Sequence, residues 1–260
     1  MNEEEKDELL KLFLSYQERI FINVRKHPEY DINKNNNHLF DEDGKTALKI
    51  LKYMGLLNGL VDDLKKIVVF MRRFPDKKYY LENDIDQLSY LKYHYEVFIH
   101  KIHTILEVKK LSLNDVYKIG LLEKDCSWSN LKGNPKIRTT ETTKIIEAYF
   151  ETFVHLINHR NLNTHRAIFI DNINERLSSH FFLQKASKKY DMDLSNDYLE
   201  IFPQALLDYQ IAKYRKEKTN YVKDGLKAAE TYVDQFNSIM ISEFLQKILK
   251  KIKDNNKKDF

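Results

Sequence analysis

Residues 139–166, TTETTKIIEAYFETFVHLINHRNLNTHR, decide the fold class. Ile146, Tyr149, Phe150, Phe153, Val154 and Ile157 stand at offsets 0, 3, 4, 7, 8 and 11, a spacing that collects all six on one face of an α-helix. Thr139 or Thr140 offers an N-cap hydroxyl to the unpaired N–H groups of the first turn. Before it, 126–138 holds Gly133-Asn134-Pro135 and is the clearest interior break.

The same period recurs outward from this segment. A first helix is expected over 3–27, with Leu9, Leu10, Phe13, Ile20 and Val24 on its inner side, an acidic start and Pro28 close behind. A second spans 45–73, with Gly55 and Gly59 as its weak point, and stops before Phe74-Pro75-Asp76. A third, 84–109, carries Leu88, Leu91, Tyr95, Phe98, Ile102, Ile105 and Leu106 on one stripe. Ser112 is positioned to cap a short fourth helix ending near 124. Another helix covers 166–190, its inner face marked by Ile170, Ile173, Leu177 and Phe181.

Residues 30–43 hold an Asn run and form a loop, and 191–203 form a connection. Beyond them Val222, Leu226, Ala229, Val233, Phe236 and Met240 repeat by fours and threes, a heptad-like seam suited to packing inside a bundle or across a dimer. No strand pattern of convincing length appears, and six Gly with four Pro in 260 residues leave little punctuation for one. The expected class is all-α. The expected division is an N-terminal helical extension over 1–79, a core over 80–190, and a long C-terminal helix with a basic tail over 191–260, all packing as one domain.

With 42% hydrophobic residues the chain can fill a sizeable core, which excludes a fully disordered protein. Its formal charge of +4 is too small to diagnose a nucleic-acid partner. The basic residues are mostly Lys, with only nine Arg, so each Arg is the more informative, planar recognition of phosphate being its particular chemistry. The single Cys126 excludes an intramolecular disulfide and a zinc site of paired cysteines. The start, Met1-Asn2-Glu3-Glu4-Glu5, is acidic where a secretory signal is basic and then apolar. Apolar runs such as Ile67-Val68-Val69-Phe70-Met71 fall far short of a membrane span. A soluble, cytoplasmic protein is expected.

Three of the nine histidines and two of the nine arginines fall within 155–166, HLINHRNLNTHR. Counted from Phe153 and Ile157, Arg160 and Asn161 flank the inward stripe of the helix. A permanent charge there is costly unless it is paired or meets a ligand. His165 lies about 140° around an ideal helix from Arg160, so convergence of the two requires a local bend or a second chain. Asn161, Asn163 and Thr164 are weak helix formers that favour a local bend or a helix end.

Arg160-Asn161-Leu162-Asn163-Thr164-His165 resembles the Arg, polar residue, variable positions and His of the HEPN superfamily of helical-bundle proteins, many of them metal-independent endoribonucleases that serve as toxins or phage-defence effectors. The resemblance covers roughly 80–190 and implies a helical bundle of HEPN type with extra N-terminal helices. It implies that Arg160 binds the scissile phosphate, that His165 exchanges protons, and that Asn161 orients the histidine or the backbone. His159 and Arg166 are candidates for further substrate contacts. It also implies two protomers pairing their motifs over RNA, with an antitoxin or defence-system protein as a further partner and with neither metal nor cofactor. One HEPN toxin group carries a modified Tyr two residues after the His, where this chain has Ala167. The alternatives are a catalytically silent HEPN-type domain that binds nucleotide or RNA, and a helical protein-interaction module.

Other patterns carry less. His155 and His159 share a face but lack the Glu of a zincin motif. His100 and His103, with Glu96 and Glu107, read as solvent-facing pairs. Asp191, Asp193, Ser195 and Asp197 begin like a calcium loop, yet Asn196 and Phe202 occupy the positions that demand Gly and Glu. Gly44-Lys45-Thr46 has Leu39 where a phosphate loop needs Gly. Trp128 reads as a core anchor and Lys247–Lys258 as a solvated basic end.

Overall fold

Asn2 starts the first helix with a reciprocal pair of bonds. Its side chain accepts from the Glu5 N–H at 2.8 Å while the Glu5 carboxylate accepts from the Asn2 N–H at 2.8 Å, a capping box. The computed structural model describes residues 2–75, 78–166 and 171–256. Among them every regular element is helical: α1 (Glu3–Arg25), α2 (Glu42–Arg72), α3 (Lys78–Glu82), α4 (Gln87–Val116), α5 (Trp128–Lys132), α6 (Glu141–Arg166), α7 (Asn172–Tyr190), α8 (Asn196–Ile201) and α9 (Gln204–Asn256), with 3-10 turns at Asn37–Leu39 and Glu123–Asp125. The chain is all-α.

The short helix expected to begin at Ser112 is corrected. Ser112 is buried inside α4, where its hydroxyl donates back to the Lys109 carbonyl at 2.8 Å instead of accepting from a following N–H. The chain leaves α4 four residues later, at a turn where Lys118 (φ 51) and Gly120 (φ 89) take left-handed backbone. Asn114 ties the turn by donating to the Leu121 carbonyl and accepting from the Leu121 N–H, both at 2.9 Å. Trp128, expected as a core anchor, opens the one-turn α5 and is only half-buried.

Two compact units emerge, each assembled from distant segments. The first comprises 1–59, 105–152 and 230–260, and the second 60–104 and 153–229. In the first, Phe13, Ile50, Leu57, Leu113, Ile146, Tyr149 and Phe236 are fully buried, and a fully buried side chain of this kind contributes about 1.5–3 kcal/mol. Phe13 meets Phe244 edge to face, with centroids 5.9 Å apart. Glu243 of α9 accepts the Glu141 N–H at 3.2 Å and the Tyr117 hydroxyl, so a carboxylate occupies the positive end of α6.

In the second unit, Leu64, Met71, Leu91, Phe98, Phe153, Leu177, Ile211, Tyr214 and Val222 form the core. Gly225 of α9 lets that helix approach α4 closely, since a Cβ there would stand 2.6 Å from Phe98 Cζ. Val222, Ala229, Val233, Phe236 and Met240 of the heptad-like seam are all buried within the chain. The seam is therefore core. On α7 the expected inner face is shifted: Leu177 is buried, but Ile173 is 43% exposed, while Asn174 and Gln184 turn inward.

Candidate functional site

The last turns of α6 carry the site. Phe153, Leu156 and Ile157 are buried, and Arg160 follows on the same stripe, half-buried. Its inward position follows from helix geometry, because 160 lies four residues beyond 156 and three beyond 157. Arg160 Nε is buried and has no hydrogen-bond partner among the described residues, and Nη1 makes one long contact of 3.4 Å to Asn161 Oδ1. A guanidinium carries five donors and stays charged at any ordinary pH. Leaving one of them buried and idle costs free energy of roughly 1–3 kcal/mol or more.

Asn161 is exposed, which corrects its expected inward placement: 100° beyond Arg160 the helix surface has already left the core. His159 is half-buried and His155 exposed, so the two do not form a shared inward face. The backbone of α6 continues to Arg166, so the helix end lies two residues beyond Thr164. Arg160 and His165 are thus separated by about 7.5 Å along one helix and roughly 140° around it. The side chains of His165 and Arg166, together with Ala167–Ile170, lie outside the described residues.

The start of α7 is anchored by a cluster that sequence reasoning missed. Asp171 caps α7, accepting from the N–H groups of Ile173 at 3.2 Å and Asn174 at 3.1 Å. Its other oxygen accepts from the Tyr214 hydroxyl at 2.8 Å and pairs with Lys218 Nζ at 2.7 Å. Lys218 in turn lies over the Tyr95 ring, 4.5 Å from its centroid. Burial pushes the Asp171 carboxyl up, but the Lys218 ammonium, the Asn174 N–H and the Tyr214 hydroxyl outweigh it and hold its pKa below the ordinary carboxylate value. Tyr214 is pushed above the usual phenol value by burial and by that carboxylate. The only sequence signal was an Asp at the start of a periodic segment.

Elsewhere, Glu96 pairs with Lys92 at 3.9 Å and Glu107 with Lys110 at 2.7 Å. Among the described residues no group of three or more His, Cys, Asp or Glu is arranged to hold a metal ion. No described helix is long and apolar enough to cross a membrane.

The profile of a Cthe2314-like HEPN family, HEPN_Cthe2314, matches residues 53–223. The match contains the whole of α6 and α7 and extends well beyond the 80–190 over which the motif alone places the resemblance. Domains of this kind point in general to nuclease or RNA-binding function, and they often dimerise. No curated protein and no solved structure matches the chain.

Proposed function

Because this chain belongs to the HEPN superfamily, we propose that it is a metal-independent endoribonuclease, a cytoplasmic toxin or phage-defence effector that cuts cellular RNA. The observation that carries this reading is Arg160: a half-buried, permanently charged guanidinium whose Nε lacks a partner among the described residues. A phosphodiester supplies the anion that would relieve its cost.

RNA brings its own nucleophile, so cleavage calls for proton transfer and charge stabilisation more than for metal activation. In this reaction the 2′-oxygen attacks phosphorus as its proton passes to an imidazole. The bond from phosphorus to the 5′-oxygen breaks, and that oxygen takes up a proton. The products are a 2′,3′-cyclic phosphate and a 5′-hydroxyl. Arg160 holds the scissile phosphate and the charge that develops on it, His165 exchanges the protons, and Asn161 orients the histidine or the backbone. His159 and Arg166 extend the contact to neighbouring phosphates. The helical separation of Arg160 from His165 makes two protomers, each completing the other's site, the economical arrangement. An antitoxin or defence-system protein is the expected regulator.

The test is incubation of the purified protein with tRNA and total RNA in EDTA, beside Arg160→Ala and His165→Ala. Wild-type protein is expected to yield fragments ending in cyclic phosphate, and each substitution to slow cutting by about 100-fold or more. Equal cutting by all three proteins, or cutting abolished by EDTA, overturns the proposal. One observation favours a second reading, a catalytically silent RNA-binding domain: the unbroken helix from Arg160 to Arg166 keeps the two motif residues apart within one chain. RNA binding that Arg160→Ala weakens, with no product on a denaturing gel, selects that reading. A protein-interaction module is indicated by a stable protein complex with no RNA affinity.

A further inference from the structure

Aromatic rings gather at a second place, outside the Arg160 motif. Tyr90, Tyr93 and His94 of α4 stand together with Tyr80 of α3 around a cavity of about 460 Å³. Tyr90 and Tyr93 both stand steeply across the His94 ring, at interplanar angles of 68° and 76° and centroid distances of 4.4 and 5.4 Å. Phe70, at the end of α2, backs the His94 ring at 5.1 Å. Phe74 braces Tyr80 and Tyr90 at 6.1 and 5.5 Å. The inner rings are thereby fixed in orientation, while Tyr93 at the rim is 62% exposed.

A core cluster would bury such rings, and a surface free of ligands rarely collects this many. The polar features narrow the occupant. Three phenols and an imidazole offer ring faces, donors and acceptors around the cavity, which suits a flat, polar group. Burial lowers the pKa of His94, so the ring is neutral at ordinary pH and presents one donor and one acceptor. Arg72 and Arg73, both exposed, lie in the chain between Phe70 and Phe74, and neither has an ion pair among the described residues. They are not part of the cavity's lining, and so near in the chain to the bracing rings they suit an anion attached to the flat group and lying outside the cavity. Lys185, paired to the lining residue Asp84 at 2.7 Å, borders an adjoining cavity of about 290 Å³ that shares Asp84 and Ile85.

We infer that this pocket binds an unpaired nucleobase of RNA, stacked against Tyr93 and Tyr90, with its flanking phosphate at Arg72 and Arg73. This rests on RNA being the ligand of the chain, as proposed above, and adds a second contact that holds single-stranded RNA. Stacking on an aromatic ring tolerates every base, because each has a π-face. The pocket therefore selects unpaired over duplex RNA rather than one sequence.

The experiment measures binding of wild-type protein to a 2′-O-methyl oligoadenylate of about ten nucleotides and to the same backbone without bases. The 2′-O-methyl group removes the nucleophile, so binding is read apart from cleavage. The base-bearing strand is expected to bind at least about fivefold tighter. Tyr93→Ala removes most of that preference, weakening the base-bearing strand by about 5- to 100-fold, the range for loss of one stacked base. The same substitution leaves the baseless strand unchanged, and Tyr93→Phe retains the preference because a ring remains. Equal binding of the two strands by wild-type protein overturns the inference, as does equal weakening of both by Tyr93→Ala. Competition by tetramethylammonium, which marks a cage for cations, overturns it too. A kept preference without RNA cutting removes the nuclease reading alone, cutting without preference removes the pocket alone, and no RNA binding removes both.

Discussion

Lys218 Nζ stands 2.7 Å from Asp171 Oδ2, with both side chains largely withdrawn from solvent, and so joins α9 to the residue that begins α7. The pair lies directly after the stretch that carries the motif. Removing one partner of a buried ion pair leaves the other charge uncompensated, at a cost of about 3–5 kcal/mol.

Asp171→Asn is therefore expected to lower stability at neutral pH by about 3 kcal/mol, read as a fall in the urea midpoint. The pH dependence has a definite sign. The folded pKa of Asp171 is depressed, so its contribution is fully present above the unfolded value near ~4 and is lost as pH falls through the depressed one. Wild-type protein should lose that stability in acid, and the Asn variant should show a shallower slope. Identical slopes for the two would remove Asp171 as an anchor.

Gly225 and Phe98 set a second test. A Cβ at 225 would stand 2.6 Å from a fully buried ring, and overpacking of this kind costs about 1–3 kcal/mol. Ala is the better helix former by about 1 kcal/mol, so the two effects oppose and the clash is expected to win. Gly225→Ala should be net destabilising by up to about 2 kcal/mol. Gly55→Ala and Gly59→Ala in α2 meet nothing within 4 Å and should each stabilise by roughly 0.5–1 kcal/mol. Thermal melts of the three variants decide it, and an order other than this one would contradict the close approach of α9 to α4.

Glu243 offers a third. Its carboxylate accepts from the first N–H of α6 and from the Tyr117 hydroxyl, which burial and the adjacent negative charge push above the ordinary phenol pKa. Glu243→Ala removes the capping acceptor and is expected to cost about 1–2 kcal/mol. Glu243→Gln keeps an oxygen acceptor and should recover part of that loss. Hydrogen exchange at Glu141, faster in the Ala variant, locates the effect at the start of α6.

What could be read from the sequence was whatever repeats with the helical period. The stripe of α6 and the seam of α9 followed from spacing alone, and so did the inward position of Arg160, because each is a matter of counting around one helix. Asn161 failed the same count, since a residue at the stripe's edge can fall on either side. Ser112 misled because a hydroxyl serves a carbonyl one turn back as readily as an N–H ahead. The face of α7 was illegible: Asp171, held by Tyr214 and Lys218 more than forty residues away in the chain, orients that helix so that Asn174 is buried and Ile173 is not. The aromatic pocket was hidden for a related reason. Tyr90, Tyr93 and His94 lie off the apolar stripe of α4, and their neighbours arrive from α2 and α3.

Lys109 is the remaining anomaly, and it makes the fourth prediction. It is fully buried, with Nζ 4.1 Å from the centroid of the Tyr149 ring, close to Phe236, and donating to the Tyr232 carbonyl at 3.1 Å. Desolvation drives its pKa well below the ordinary lysine value. The aromatic faces return part of the lost hydration to the charged form, though not enough to reverse the direction. In the range between the depressed value and the ordinary one near ~10.4, the unfolded chain binds the proton that the folded chain has shed, so stability rises with pH there. Lys109→Met keeps the length of the side chain and removes both the charge and the titration. The variant is expected to be at least as stable as wild type at neutral pH, by up to about 2 kcal/mol, and to lack the rise towards alkaline pH. Urea midpoints of the two proteins from pH 6 to 10 carry the comparison, and a Met variant that is less stable at every pH would show the buried ammonium to be a net support of the fold.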